Sequence, residues 1–224
     1  MLFMQKLITL LVAIFTVVTA TAQIERYTPR MLATGNLPQE NKGEDVQRNF
    51  IEQKWRSGTV IFTGSTNPVE VPLLFDAYSN KLYYRHNGSI MEFNQPIKEF
   101  SISIVNKDTI NLLYRNAYPA IHKNTAETFY EVLVDGGFHL LKCKAKTIGL
   151  YKDQDVPEGE RKLTKDLLYA FLPDKRIIQV KKDKDYLLNA MPAYATSIQQ
   201  ICAGEKLKLK NENQLKELFV LLNK

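Results

Sequence analysis

The three imidazoles, His86, His122 and His139, limit the acid–base chemistry that this chain can perform. A serine or cysteine hydrolase needs a nucleophile, a base and an orienting acid, and the base is usually histidine. The sequence contains no G-x-S-x-G nucleophile elbow. His86 and His139 each flank a glycine-containing turn, where histidine is usually a solvated polar residue. No catalytic residue is therefore predicted, and a hydrolase with dispersed catalytic residues stays open as the alternative.

The two cysteines, Cys143 and Cys202, have two interpretations. In an oxidising compartment they could form a disulfide that joins a strand to the C-terminal helices. They could equally be buried thiols that pack as small hydrophobic groups. His139 lies four residues before Cys143 on one predicted strand, about 13 Å away, and zinc needs three or four ligands. The sequence predicts no zinc site.

The stretch "DQDVPEGERK", residues 153–162, is the part of the chain most typical of a metal-binding loop. Its four carboxylates could offer oxygen atoms to Ca²⁺, a hard cation. Pro157, however, occupies the third ligand position of the EF-hand pattern. We interpret the stretch as a solvated acidic loop balanced by its basic neighbours, and we predict no metal and no cofactor.

Lys142, Lys144 and Lys146 alternate along one predicted strand. The simplest interpretation is a solvent-facing row of lysines, which also discourages aggregation through sheet edges. A second interpretation is contact with an anionic envelope surface. The whole chain has 30 Lys and Arg against 24 Asp and Glu, a formal charge of +6. This excess is modest and no nucleic-acid-binding module is recognisable, so we predict no nucleic-acid partner.

Aromatic residues offer a further class of site, because exposed rings can stack on sugars. The 11 tyrosines and 11 phenylalanines lie mostly in alternating segments, where packing within a sheet is the simpler role. A carbohydrate platform would need exposed rings among Tyr83, Tyr84, Tyr114 and Tyr118.

The first 22 residues predict export. Lys6 precedes an apolar run over residues 7–18, and Ala20-Thr21-Ala22 follows as a cleavage site, which is the order of parts in a secretory signal peptide. The alternative is a membrane anchor, but the run is shorter than the roughly 20 residues of a span. No later run approaches that length. We expect a mature chain that begins near Gln23 and lies in the periplasm or the medium.

Four regions follow from the patterning: the signal peptide, a polar extension over residues 23–57 with a short helix near its end, strands over residues 58–180, and helices over residues 181–224. The strands pair as hairpins around tight turns, as in "FYEVLVDGGFHLLKCKAK", residues 129–146. In it we expect Tyr130, Val132 and Val134 to share one face. The fold class is α+β: an antiparallel sheet, closed as a barrel or folded as a sandwich, followed by short helices.

The helical region switches to a period of 3 to 4 residues. Its clearest member is "NENQLKELFVLLN", residues 211–223, in which Asn211 can cap the helix and Gln214 can act as the reciprocal partner. We expect its apolar face to dock on neighbouring elements, because so short a helix is marginal by itself.

The segments "GTVIFTGSTNPVEVPLLFDAYSNKLYYRHNGSIMEF", "PIKEFSI", "FYEVLVDGGFHLLKCKAK" and "LKNENQLKELFVLLN" resemble, in content and order, a family of exported proteins from the Bacteroidota. The resemblance covers most of the mature chain. It implies a signal peptide, a β-rich middle and a helical tail, and it carries over no catalytic residue.

These observations predict a non-catalytic envelope protein with a binding or structural role. Its partner would be another envelope protein or an anionic envelope surface. The rival hypothesis, an envelope hydrolase, would require a pocket in which a histidine or a pair of carboxylates converges.

Overall fold

The structure is a computed structural model that describes residues 55–77, 79–86, 89–105, 109–153 and 156–224, with backbone only for residues 145–153 and 156–164. The predicted signal peptide and the predicted helix near residues 44–55 lie outside this part, except for Trp55.

Ten strands form a single antiparallel sheet. The strands are β1 (Arg56–Phe62), β2 (Val69–Asp76), β3 (Lys81–His86), β4 (Ser89–Glu92), β5 (Ile97–Val105), β6 (Thr109–Arg115), β7 (Tyr130–Val134), β8 (His139–Asp153), β9 (Val156–Phe171) and β10 (Ile177–Val180). Their order across the sheet is β10-β9-β8-β7-β6-β5-β1-β2-β3-β4. An antiparallel sheet followed by short helices was predicted, and this fold class is confirmed.

The half of the sheet that contains β1 to β5 curls on itself. Residues 93–96 alone link β4 to β5, although three strands separate these two in the sheet order. In a flat sheet β4 and β5 would lie about 19 Å apart, about the full reach of an extended link. Pro96 still pairs beside β1, because the Thr63 amide donates to its carbonyl at 2.8 Å, so residues 93–95 alone must span this distance. The strands must therefore bend toward each other.

Apolar residues inside this curl form the first core, which we call the curl cluster. Its fully buried members include Val60, Leu73 and Phe100. Phe100, Ile102 and Ile104 alternate with less buried residues along β5, and all three are buried in this cluster. Alternation of apolar residues along these strands thus correctly predicts the buried face.

The other end of the sheet has two cores, one on each face. The helix-side cluster contains Leu140, Leu168 and Ala170 together with the apolar faces of the helices. The tyrosine cluster lies on the opposite face and consists of Tyr118, Tyr130, Leu141, Tyr169 and Ile177.

A β-bulge in the 129–146 hairpin corrects the predicted faces of β7. Val132 pairs with Leu141 and Val134 pairs with Leu140, so Leu133 is the extra residue. Tyr130 consequently packs in the tyrosine cluster, whereas Val134 packs in the helix-side cluster. The prediction that Tyr130 and Val134 share a face is wrong, because a bulge reverses the alternation beyond it.

The long hairpin of β8 and β9 replaces most of the predicted acidic loop. β8 extends to Asp153 and β9 begins at Val156, which pairs with Asp153. The prediction of a loop is therefore wrong for Asp153 and for residues 156–162, and residues 154 and 155 lie outside the described part. The carboxylates of this stretch lie outside the described side chains.

Three α-helices follow the sheet in the described part: α1 (Lys184–Ala190), α2 (Ala195–Gly204) and α3 (Glu212–Leu222), with a short 3-10 helix (Pro192–Tyr194) between α1 and α2. Asn211 caps α3 as predicted, since its Oδ1 accepts from the Gln214 amide at 2.9 Å. The Gln214 side chain accepts from the Lys210 amide rather than from that of Asn211. None of the helices in the described part is long and apolar enough to cross a membrane.

The end of α3 is fastened to the turn of the β7–β8 hairpin. Asn223 Oδ1 accepts from the Phe138 amide at 2.8 Å, and Asn223 Nδ2 donates to the Phe138 carbonyl at 2.9 Å. Gly136, at φ +152°, leaves the space for this contact, because a Cβ there would lie 2.6 Å from Asn223 Cγ. The helical segment is thus held against the sheet both by its apolar face and by the C-cap residue of α3.

Candidate ligand-binding cleft

A cleft of about 640 Å³ opens where β7 begins, between β8 and the end of β2. β7 starts at Tyr130 and pairs with β8 only as far as Lys142. Cys143 and Lys144 of β8 therefore line the cleft instead of pairing with β7. The volume falls in the range of small-molecule sites, roughly 300–1,000 Å³.

Aromatic rings form much of the cleft wall: Phe75, Tyr114, Phe129 and Tyr169. The Tyr114 ring is stacked on Phe100 with centroids 4.8 Å apart and an interplanar angle of 12°. Tyr114 is only 2% exposed, and its hydroxyl has no hydrogen-bond partner within the described residues. Burial, followed by the charges of Glu131 and Asp166, raises the pKa of this hydroxyl, so it stays protonated.

An ion pair crosses from β7 to β8 at the cleft. Lys142 Nζ lies 3.1 Å from Glu131 Oε2 and 3.5 Å from Glu212 Oε1 in the first turn of α3. The lysine side chain is only 17% exposed. Burial acts to lower the pKa of Lys142, but the two carboxylates outweigh burial, and the pKa is raised. Lys142 is therefore charged and fixed in place.

These contacts correct the interpretation of Lys142, Lys144 and Lys146 as a row of solvated lysines. Lys142 shares a face with Leu140, which the helices cover, and its charge is neutralised. Lys144 is better exposed, and its Nζ lies 2.6 Å from Asp166 Oδ1. The Lys146 side chain lies outside the described part. Contact of this row with an anionic surface stays a prediction.

The thiol of Cys143 lies beside a hydrogen-bonded pair in the cleft. Asn124 Nδ2 donates to the Tyr130 hydroxyl at 2.9 Å and lies 3.9 Å from Cys143 Sγ. Burial raises the pKa of Cys143 to about 11, although Asn124 acts in the other direction. The thiol is therefore protonated near neutral pH and a poor nucleophile.

The disulfide that we considered between Cys143 and Cys202 is not formed, and both thiols are free. Cys143 packs against the tyrosine cluster, whereas Cys202 belongs to the helix-side cluster. The two clusters lie on opposite faces of the sheet, so its backbone separates the sulfur atoms. The alternative interpretation, two thiols packed as small hydrophobic groups, describes both residues.

The histidines lie apart from one another. His122 is exposed at the mouth of the cleft, and His86 is exposed on β3. His139 differs from the solvated residue that we expected, because its side chain is only 15% exposed. Its Nδ1 lies 2.9 Å from the Tyr118 hydroxyl and 3.5 Å from Asp135 Oδ1.

The group around His139 is an electrostatic network at the turn of the hairpin. Arg115 holds Asp135 with two bonds of 2.9 and 3.0 Å, and it contacts Glu99 at 2.7 Å. Hydrogen bonds from Arg115 lower the pKa of Asp135. Burial lowers the pKa of His139, although Asp135 opposes the change. The network stabilises the hairpin and does not line the cleft.

The side chains in the described part form neither a metal site nor an open carbohydrate platform. No three His, Cys, Asp or Glu residues there lie close enough together to hold a metal ion. Tyr84, Tyr114 and Tyr118 are all at most 4% exposed, so they cannot form an open carbohydrate platform. Tyr83 on β3 is half-buried.

Several cleft residues were not identified from the sequence. The Glu131–Lys142 pair could have been found by counting across the hairpin turn, but the bulge at Leu133 shifts that count. The sequence around Asn124 and Gln179 does not indicate a binding site, because only the folded chain brings these residues to the cleft.

Comparisons of this chain with protein-family models, with curated proteins and with solved structures found no match. The functional conclusion therefore depends on the geometry of the cleft and on the sequence itself.

Proposed function

We propose that this chain is an exported, non-catalytic envelope protein that binds a partner or ligand through the cleft at the start of β7. The observation that carries the proposal is the cleft itself, about 640 Å³ in volume, with a wall of aromatic rings held in place by packing. Such concave, ring-lined sites are typical of ligand-binding proteins.

The chemistry of the cleft favours binding over catalysis. A general acid or base must be able to exchange a proton with its substrate, and a nucleophile needs a base beside it. Glu131 and Lys142 neutralise each other at 3.1 Å, and the Cys143 thiol is protonated near neutral pH. These groups orient and hold the walls, and the half-buried Phe129 and Leu167 supply apolar contact surface.

Affinity capture tests the proposal. The mature chain, residues 23–224, is immobilised and exposed to an envelope extract, and bound proteins and small molecules are identified by mass spectrometry. The cleft variant is Gln179→Trp, which adds bulk at a half-buried position that lines the cleft. The matched control is Gln200→Trp, on an exposed position of α2.

We expect a partner that the unmodified chain and Gln200→Trp retain and Gln179→Trp loses. Circular dichroism must show that both variants are folded. Capture that Gln179→Trp leaves unchanged would place binding elsewhere on the surface. A chain that captures nothing in any form would contradict a binding function.

Export needs its own test. Expressed with its leader in a Gram-negative bacterium, the chain should be found outside the cytoplasm, with an N-terminus near Gln23. The variant Leu10→Arg interrupts the apolar run of the leader and should hold the full-length chain in the cytoplasm. Equal distribution of both forms would contradict the proposed signal peptide.

A further inference from the structure

Two amide side chains in the cleft wall already have hydrogen-bond partners. Asn80 donates to the Glu127 carbonyl at 2.9 Å and accepts from the Phe129 amide at 2.8 Å. The Asn124 amide donates to the Tyr130 hydroxyl. A ligand rich in hydroxyl groups would lose its bonds to water here and recover few from these two amides, which is costly.

Part of the apolar surface of the cleft is, in contrast, available. Phe75 and Tyr169 in its wall are only 4% and 2% exposed, so the available surface belongs mainly to the half-buried Phe129 and Leu167. A ligand with an apolar body gains by burying surface against these side chains, at roughly 25 cal/mol for each Å² removed from water.

One charged side chain that lines the cleft makes no ion pair with the described residues. Glu131 pairs with Lys142, and Asp166 pairs with Lys144. Lys123 lines the cleft in an exposed position, and no ion pair joins its ammonium to a described residue. Lys123 therefore places a positive charge at the solvent boundary of the cleft.

We propose that the cleft binds a small organic anion with an apolar body, which lies against Phe129 and Leu167 while its anionic group lies at Lys123. This inference rests on the proposed binding function and names the ligand class of the same site. The cleft offers a different environment to each end of an amphipathic ligand. Its apolar side chains contact the apolar body, and the Lys123 ammonium at the solvent boundary contacts the anionic group.

Two probes of equal chain length and opposite charge test the ligand class. Decanoate and decyltrimethylammonium are titrated into residues 23–224 by isothermal titration calorimetry, below the concentrations at which they form micelles. We expect one decanoate per chain, bound several-fold more tightly than the cation. Raising the salt concentration should reduce this preference, because salt screens an exposed charge.

The variant Lys123→Gln tests the position of the anionic group. It should weaken decanoate binding by about two- to fivefold, the effect of an exposed ion pair, and leave the affinity for decyltrimethylammonium unchanged or higher. The matched control is Lys98→Gln, on an exposed position of β5 outside the cleft, which should change neither affinity.

Alkylation of Cys143 locates the bound probe. Iodoacetamide labelling at pH 8.5 is followed by peptide mass spectrometry, with Cys202, 4% exposed in the helix-side cluster, as the internal reference. Decanoate should slow the labelling of Cys143, which lines the cleft, and leave that of Cys202 unchanged.

Three results would overturn the inference: equal affinity for the two probes, equal decanoate affinity in Lys123→Gln and the unmodified chain, or decanoate binding that does not protect Cys143. Capture of a neutral oligosaccharide that Gln179→Trp abolishes would also overturn it, while the proposed binding function would stand. Failure of every probe together with an empty capture experiment would contradict both.

Discussion

Replacing Tyr114 with phenylalanine should raise the free energy of unfolding, which is the reverse of the usual effect of changing a buried residue. The ring would keep its stacking on Phe100 and its contact with Phe75, whose centroid lies 5.1 Å away. The substitution would remove only a hydroxyl that is buried without a partner among the described residues.

The magnitude follows from the penalty for such a group. Burying a hydroxyl without a hydrogen bond costs about 1–3 kcal/mol. Its removal also forfeits a few dispersion contacts of the oxygen atom, at about 0.1–0.2 kcal/mol each. We expect a net gain of about 1 kcal/mol, or about 2–4 °C in Tm for a chain of this size.

Tyr130 provides a matched control for Tyr114. Its hydroxyl accepts from Asn124 Nδ2 at 2.9 Å, so Tyr130→Phe loses this bond and leaves the donor with only its weak contact to Cys143 Sγ at 3.9 Å. This variant should lose about 1 kcal/mol. Urea denaturation of residues 23–224, followed by circular dichroism, measures both. The reasoning is refuted if Tyr114→Phe is destabilised as much as Tyr130→Phe, because the Tyr114 hydroxyl must then have a partner in solution.

Three further perturbations test other parts of the structure. Glu131→Gln should lower the free energy of unfolding by about 1–3 kcal/mol because it leaves the mostly buried charge of Lys142 with a weaker partner. The double variant that adds Lys142→Met should recover part of this loss in urea denaturation. Strictly additive losses would contradict the pairing. Because folding lowers the pKa of His139, the unfolded chain binds more protons below about pH 6.5, so stability should fall as the pH drops from 7 to 5. His139→Gln should reduce the change in Tm between pH 7 and pH 5. An unchanged pH dependence of Tm would mean that other groups cause it. Asn223→Ala removes two bonds to Phe138 and should cost about 1–3 kcal/mol, with faster amide hydrogen exchange at the end of α3; exchange as slow as in the unmodified chain would show that the apolar face alone holds the helix.

Local sequence signals predicted the elements whose causes are themselves local. The Asp135-Gly136-Gly137 turn lies between β7 and β8, and Asn211 caps α3 as its position before an apolar run indicates. Alternation predicted the buried side chains of β5, because a regular strand has a period of two.

The features that were predicted wrongly or missed depend on contacts between segments that are distant in sequence. The bulge at Leu133 depends on the pairing of two strands, and neither strand shows it by itself. The acidic stretch from Val156 onward forms strand because the backbone of β8 offers it a ladder of hydrogen bonds, and tertiary context overrides its polar composition. The cleft was missed for the same reason, since Phe75, Asn124 and Gln179 meet only in the folded chain.

Lys142 shows why the alternating lysines could not be interpreted from β8 alone. A lysine in a strand is usually solvated, yet this one lies on the face that α3 covers. It is tolerated because Glu131 and Glu212 both approach its ammonium, and a buried charge needs such partners. One partner belongs to the cleft and the other to the first turn of α3. The position of the helical segment and the geometry of the cleft wall therefore depend on the same ammonium group, which connects the C-terminal helices to the proposed binding site.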